Sequence, residues 1–358
     1  MSELDLQAVA GVLRGVPELN GTPLKALERL PDKGIAHIHL RLTGVRIGGR
    51  GVLLRVPRLS QFSLAAPDNL AYQAACFARA APSGHTPNLH AVLSPSPSLP
   101  MGALLIDEID GPPVSLPGDL GAMAACLASV HLLPLPEPAV RSPLADHADP
   151  VAGTLSVIEA QSAHIETAVE DPGVRRILGE EIAWARSFAE RSAGKPQSVA
   201  LVLTDTHPGN FLIEPDGRVY FVDLEKALYG SPAIDLAHAS LYSSTNWDID
   251  VRADLSSAEV ERFHGDYLVQ LPRPVADALR PWLEPMRRLT WLRTTTWSCR
   301  WYAEGLSGGE DGAGGWSMQG LDPGLIAHVE ARIRAFTSPE MVERVRRDWV
   351  GPDRLRLE

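Results

Sequence analysis

The run LVLTDTHPGNFLIEPDGRVYFVDLEKALYGSPAIDLAHAS, residues 201–240, sets an acid, an amide and a second acid at spacings from which local geometry follows. Phe211–Glu214 reads as a strand, Pro215-Asp216-Gly217-Arg218 as a turn with a glycine where positive φ is needed, and Val219–Val222 as the antiparallel return. Such a hairpin brings Asn210 and Asp223 side by side at its open end. Two oxygen-bearing side chains, one of them anionic, form half a site for Mg2+, a hard ion that keeps most of its ligands as water and phosphate oxygen. Asp205 lies five residues before Asn210 on the tight loop TDTHPGN and is within reach of the same spot, where it can accept the proton of an attacking hydroxyl. An isolated Asp and Asn would mean little, since both are common in turns. Here the hairpin and the second acid set the pair apart.

The arrangement resembles the aminoglycoside phosphotransferase and choline kinase family, small-molecule kinases of the protein-kinase-like fold whose catalytic loop usually reads H-G-D-x-H-x-x-N. Leu203 and Thr204 stand in place of the His-Gly, Asp205, His207 and Asn210 keep their spacing, and VDLE at 222–225 matches the metal-binding I-D-x-E. The resemblance implies Asp205 as catalytic base and Asn210 and Asp223 as metal ligands, with Asp235 as the buried acid that braces the loop. His207 is read as structural support, bonded to neighbouring backbone or an acid, and Glu225 either as a third metal ligand or as a solvated strand-end charge. LLIDEIDG at 104–111 is similar to the family's hinge, so the backbone of Asp107, Glu108 and Ile109 is expected to meet the nucleotide base. MAACLASVHLLPLP at 123–136 resembles the helix that follows the hinge, and the likeness runs from about Gly34 to at least Ser240. It implies an α+β, bilobal, protein-kinase-like chain with a small β-rich N-lobe and a larger, mostly helical C-lobe. Mg2+ and ATP are the implied cofactors, with GTP as an alternative donor.

Upstream, residues 3–14 suit a short helix, while Gly34–Arg41 and Val52–Val56 read as an antiparallel strand pair joined through Gly48–Gly51. Asp68 is expected to cap the helix NLAYQAACFARA, and further apolar segments follow at Leu89–Leu93 and Ala103–Ile109. Arg55 occupies the third-strand position of the family's phosphate-binding lysine, and Gln73 that of its partner glutamate. An arginine is always charged and needs no carboxylate to keep it protonated, so Arg55 is expected to clamp phosphate. GIAHIH stands where a glycine-rich phosphate loop is usual. His37 and His39 share one strand face without a third ligand at zinc spacing, and are read as a polar face. Pro-rich stretches at 94–100 and 111–118 interrupt the pattern, placing the boundary near Gly111: an N-terminal nucleotide-binding lobe at 1–110 and a C-terminal catalytic lobe at 111–358.

Beyond it the signal is helical. Asp119 is placed as the cap of DLGAMAACLASVHLL, an amphipathic stretch spans roughly 174–190, and Ser256 with Glu259 forms a capping box. Trp291, Trp297 and Trp301 lie on one helical stretch, read as core packing ahead of a substrate pocket. GLSGGEDGAGG at 305–315 is expected to be a flexible loop; its G-x-S-x-G spacing follows a helix rather than a strand, unlike a hydrolase nucleophile turn.

A chain of 358 residues, 45% hydrophobic and 22% charged, can bury a sizeable core and suits two lobes. A formal net charge of -11 without clustered Lys and Arg argues against a nucleic-acid partner. No run is apolar enough for a membrane span, the acidic start does not suit a signal peptide, and three scattered cysteines suit buried thiols; the reading is cytoplasmic. The expected partners are a nucleoside triphosphate and a small-molecule hydroxyl acceptor, an amino sugar, aminoglycoside or choline-like amino alcohol. The alternative, motivated by the unusual first lobe, is a weak or inactive pseudokinase that binds nucleotide or a partner.

Overall fold

The computed structural model describes residues 4–22, 24–32, 34–306 and 323–357. Its N-terminal part is a five-stranded antiparallel sheet: β1 (Ala26–Arg29), β2 (His37–Ile47), β3 (Arg50–Pro57), β4 (Leu89–Leu93) and β5 (Ala103–Asp107), in the order β1-β2-β3-β5-β4. Alternation along the strands divides the two faces. Ile38, Leu40 and Leu42 of β2 with Val52, Leu54 and Val56 of β3 pack into a core with Val9 and Leu13 of helix α1 (Leu6–Leu13), whose cap Asp5 accepts from Gln7 N and Ala8 N. The residues between them in sequence, His37, His39, Arg41, Leu53 and Arg55, turn to the opposite face and line a cleft.

Two local expectations are corrected. β2 begins at His37 rather than Gly34, and residues 34–36 bend along the cleft wall. β1 is an edge strand that pattern reading passes over, because the four residues ALER leave no buried alternation. Helix α2 (Ala66–Ala80) starts ahead of Asp68, with Ala65 at its cap and Pro67 in its first turn, so Asp68 caps nothing.

The C-terminal part is mostly helical. α3 (Leu120–His131), α4 (Pro150–Ser162), α5 (Ile165–Ala168) and α6 (Pro172–Ser192) precede a small β region. Asp119 does sit at the N-cap of α3, but its carboxylate accepts from Ser115 N at 2.6 Å instead of from the helix. In the β region, β6 (Ala200–Val202) pairs with β9 (Leu228–Gly230), and β7 (Phe211–Ile213) pairs with β8 (Val219–Phe221). Then come α7 (Pro232–Ser240), α8 (Tyr242–Thr245), α9 (Ser257–Leu268) with its Ser256–Glu259 capping box, α10 (Arg273–Leu279), α11 (Leu283–Leu306), α12 (Pro323–Phe336) and α13 (Pro339–Arg346). The long α11 packs on α4, α5 and α7. Of the glycine-rich stretch, residues 307–315 lie outside the described residues.

The β7–β8 hairpin is fastened to its surroundings. Arg50 Nη2 donates to Glu214 Oε2 at 3.0 Å and to the Tyr220 hydroxyl at 2.6 Å, while Ile213 N donates to Pro112 O at 2.9 Å and Val114 N to Phe211 O at 3.0 Å. Gly111 passes so close that a Cβ there would meet Ile213 O at 2.0 Å. The three cysteines are buried free thiols. No described helix is long and apolar enough to cross a membrane.

Candidate active site

Residues 203–210 form the loop from β6 to β7, and its backbone is organised by Asp235, fully buried on α7. The Asp235 carboxylate accepts from Leu203 N and Thr204 N, each at 2.7 Å, and from His131 Nε2 at 2.9 Å; the Tyr267 hydroxyl lies 2.8 Å from the far ring nitrogen, His131 Nδ1. Thr206 Oγ1 adds a bond to Asp235 O at 2.7 Å. The loop holds Thr204 at φ 63, a left-handed conformation costing a β-branched residue on the order of 1–3 kcal/mol. The bonds from Thr204 N to Asp235 and from Thr204 Oγ1 to Lys226 O (2.9 Å) offset that cost.

This loop presents Asp205 with its side chain about one-fifth exposed. Lys226 Nζ donates to Asp205 Oδ2 at 2.7 Å, His238 Nε2 lies 3.8 Å from Oδ1, and Asn210 Nδ2 donates to Asp205 O at 2.9 Å. Burial by itself pushes the Asp205 carboxyl up, but the Lys226 ammonium, with His207 and His238 beyond it, outweighs burial and holds it well below the usual carboxylate range. Burial also pushes the His238 ring down to about 4, so that ring is neutral at pH 7 and the lysine is the effective charge. His207 is buried, and its Nδ1 has no hydrogen-bond partner among the described residues.

Across the cleft, Asp223 follows β8. The hairpin register sets Val222 against Asn210, with Val222 N donating to Asn210 O at 3.0 Å, and Asp223 one step beyond. Arg55 Nη2 donates to Asp223 Oδ1, and His37 Nδ1 lies 3.1 Å from that same nitrogen. His37 Nε2 lies 3.1 Å from Gln73 Oε1 and 3.3 Å from Glu225 Oε2. With acceptors around Nε2 and a donor at Nδ1, the network assigns the neutral Nε2–H tautomer. The direction of its titration agrees: burial first, then the Arg55 charge, hold the His37 ring well below its ordinary value. Gln73, His37 and Arg55 thus form one polar chain that ends on Asp223.

Glu225 is buried, accepts from Gln61 Nε2 at 3.2 Å on one oxygen, and is pushed up to about 8 by burial and the Asp223 charge. Its second oxygen lies 3.3 Å from His37 Nε2, and His37, Asp223 and Glu225 each offer a ligand atom within 4.8 Å of the others. The two carboxylates, in a cavity that Asn210 also lines, form an oxygen-rich set that suits Mg2+.

At the hinge, Asp107 N donates to Asn88 O at 3.0 Å and Glu108 N to Gly51 O at 2.8 Å, so both of those N–H groups are committed within the protein. The Asp107 carboxylate is also engaged, by Asn88 and by His90 at 2.7 Å, and Glu108 accepts from Arg41 Nε at 2.6 Å. Asp107, Glu108 and Ile109 line the same cavity of about 890 Å³ as Arg55, Asp205, Asn210 and Asp223. The tryptophans divide: Trp291 packs in the core against Trp349, whereas Trp297 and Trp301 also line the cavity. Lys226, His131 and the His37–Gln73 link escaped sequence reasoning; the only signal for Lys226 was a cation directly after VDLE.

An antiparallel sheet joined by a hinge to a helical lobe, with an acid-amide-acid cleft where they meet, defines a bilobal α+β molecule of the kinase-like class. The sequence profile of the phosphotransferase enzyme family matches residues 41–262, and the chain belongs to that family. No curated protein matches it by sequence. Among solved structures it is similar to a choline/ethanolamine kinase family protein from Mesorhizobium loti, with 18% identity, 95% of this chain and 97% of that one covered, and a TM-score of 0.58. An ethanolamine kinase from Plasmodium vivax gives 15% identity over 93% and 86% of the two chains, with a TM-score of 0.58. A thermostable mutant of aminoglycoside phosphotransferase APH(4)-Ia, in ternary complex with AMP-PNP and hygromycin B, gives 16% identity over 88% and 94%, with a TM-score of 0.54.

Proposed function

We propose that the protein transfers the γ-phosphoryl group of ATP to a hydroxyl of a small molecule. The reading rests on one observation: Asp205, Asn210, Asp223 and Arg55 line a single cavity, with Asp205 ionised and steadied by Lys226. In the proposed step the acceptor oxygen bonds to the γ-phosphorus as the bond to the β–γ bridging oxygen breaks. ADP leaves, and the hydroxyl proton passes to Asp205. Arg55 holds a guanidinium at the donor side of the cavity, and Asp235 fixes the loop on which Asp205 rides. Asn210 and Asp223, with Glu225 as a further oxygen ligand, would hold Mg2+, which would neutralise phosphate charge there. The nucleotide base is assigned to the hinge backbone other than the committed Asp107 and Glu108 N–H groups, and in this reading the hinge divides the lobes at Gly111. The AMP-PNP complex of APH(4)-Ia favours ATP, with GTP as the other donor to test.

Isothermal titration with ATP or GTP and Mg2+, followed by transfer to a metabolite extract, tests this. Asp205→Ala is expected to abolish transfer with nucleotide affinity held within roughly threefold, and Asp223→Ala to weaken metal–nucleotide binding itself. Full turnover by the Asp205 variant, or no nucleotide binding by the native protein, would overturn the reading.

A further inference from the structure

His37 and Arg55 are neighbours on the cleft face of the sheet. The register of β2 and β3 sets His39 opposite Arg55 and His37 opposite Pro57, which makes His37 the diagonal partner of Arg55 across the two strands. Both hydrogens of Arg55 Nη2 have an acceptor: one goes to Asp223 Oδ1 and the other to His37 Nδ1, at 3.1 Å. Nε of the same guanidinium is buried without a hydrogen-bond partner among the described residues, so the polar hold on Arg55 is exerted through Nη2.

The far side of the His37 ring is tied to the C-terminal part of the molecule. Its Nε2 lies 3.1 Å from Gln73 Oε1 and 3.3 Å from Glu225 Oε2, and Gln73 stands on α2, a helix that presents two faces. Gln73 and Phe77, four residues apart, face the sheet, with the Phe77 ring centroid 5.8 Å from the Arg55 guanidinium carbon. Tyr72 and Arg79 form the second face. The Tyr72 hydroxyl donates to Ala227 O at 2.8 Å, while Arg79 Nη2 donates to Val140 O at 2.9 Å and to Ser142 O at 2.6 Å, and Arg79 Nη1 to the Tyr229 hydroxyl at 3.2 Å. An arginine of the sheet is thus placed against Asp223 by a histidine whose own anchors, Gln73 and Glu225, are fixed from the C-terminal side.

Resting on the phosphotransfer reading above, we infer that His37 is a positioning residue: its ring, donating at Nε2 and accepting at Nδ1, aims the Arg55 guanidinium at the phosphates of the bound nucleotide. A lysine or a second arginine in its place would set a cation against Arg55, and a phenylalanine has no acceptor to offer. The contact matters most when nucleotide is present, because Asp223 is also the residue proposed to hold Mg2+. A carboxylate shared in that way grips the guanidinium less, and His37 Nδ1 is the acceptor that keeps Arg55 in place.

The test compares Mg-ATP with adenosine, which has the base and sugar but no phosphate, in calorimetric titrations of the full-length protein. His37→Phe is expected to raise the Kd for Mg-ATP about tenfold and to leave the Kd for adenosine within about twofold. In an Arg55→Met background, His37→Phe should have no further effect on Mg-ATP, the signature of two residues acting as one unit. Gln73→Leu removes the acceptor of the Nε2 hydrogen from a different element; it is expected to weaken Mg-ATP binding about threefold, again only while Arg55 is present, and it carries the test should the His37 variant fail to fold. Equal losses for adenosine and Mg-ATP, or an effect of either substitution that survives Arg55→Met, overturn the inference alone. No binding of Mg-ATP by the native protein overturns the phosphotransfer reading and takes the inference with it.

Discussion

The Lys226 ammonium lies 2.7 Å from Asp205 Oδ2 and, on its other side, 5.6 Å from the centroid of Trp297. One side chain thus links the candidate base to the acceptor wall. A proton acceptor held so far below its ordinary range is always ionised but weakly basic, so Lys226 sets the balance between readiness and strength. Removing that charge lets the Asp205 pKa rise. Lys226→Met is expected to move the acid limb of the pH profile of kcat/KM to higher pH and to lower kcat about 10- to 100-fold at pH 7. An unshifted acid limb in stopped-time assays from pH 5 to 8 would count against this role.

Asp235 serves Leu203 N, Thr204 N and His131 at once, with no exposure to solvent. Asp235→Ala leaves all three buried donors unpaired and is expected to cost about 3–5 kcal/mol, measured by urea denaturation. Asp235→Asn, which keeps one acceptor oxygen, should cost less.

Thr204 combines strain with a useful hydroxyl, so two substitutions separate the effects. Thr204→Gly relieves the positive φ and loses the bond to Lys226 O, and stability is expected to stay within about 1 kcal/mol of native. Thr204→Val keeps the strain and loses the bond, and is expected to cost about 1–2 kcal/mol. Thermal unfolding of the pair, with Val above Gly in stability, would reverse this account.

At the donor side, Arg55 is buried and bonded to Asp223 and His37. Arg55→Met is expected to weaken binding of Mg-ATP about tenfold or more by titration calorimetry, while Arg55→Lys keeps the charge and should lose less. Tighter binding by the Met variant would instead mean that Arg55 obstructs the cation site.

Acid should unfold the protein through histidines that the fold keeps neutral. Burial, then the charge of Arg287, pushes His264 down to about 3; burial, then Arg55, pushes His39 down to about 4. Below about pH 6.5 the unfolded chain binds a proton at each of these positions while the folded one does not. Stability is therefore complete above that pH and is lost as pH falls towards the folded values, at about 1.4 kcal/mol per pH unit for each histidine. Replacing His264 with Gln should reduce the slope between pH 6 and 5 by one proton's worth in urea melts.

The residues at the centre of the cleft were legible because they lie close together in sequence and a short turn dictates their meeting: Asp205, Asn210 and Asp223 come from one loop and one hairpin. The bilobal architecture followed from the same segment and the family resemblance. What escaped reading depends on segments far apart. The His37–Gln73 contact joins β2 to α2, and Arg293 comes to Thr204 from α11. Neither approach leaves a periodicity or a spacing in the chain. Asp68 and Asp119 misled for a more local reason, since a cap-type residue beside a helical run does not fix where the helix begins or which N–H the carboxylate takes.

The strut from Arg50 to Glu214 and Tyr220, together with the stitching of β7 to residues 112–114, closes the rear of the molecule like the spine of a book. Those bonds tie the hairpin that leads into Asp223 to β3, the same strand that carries Arg55.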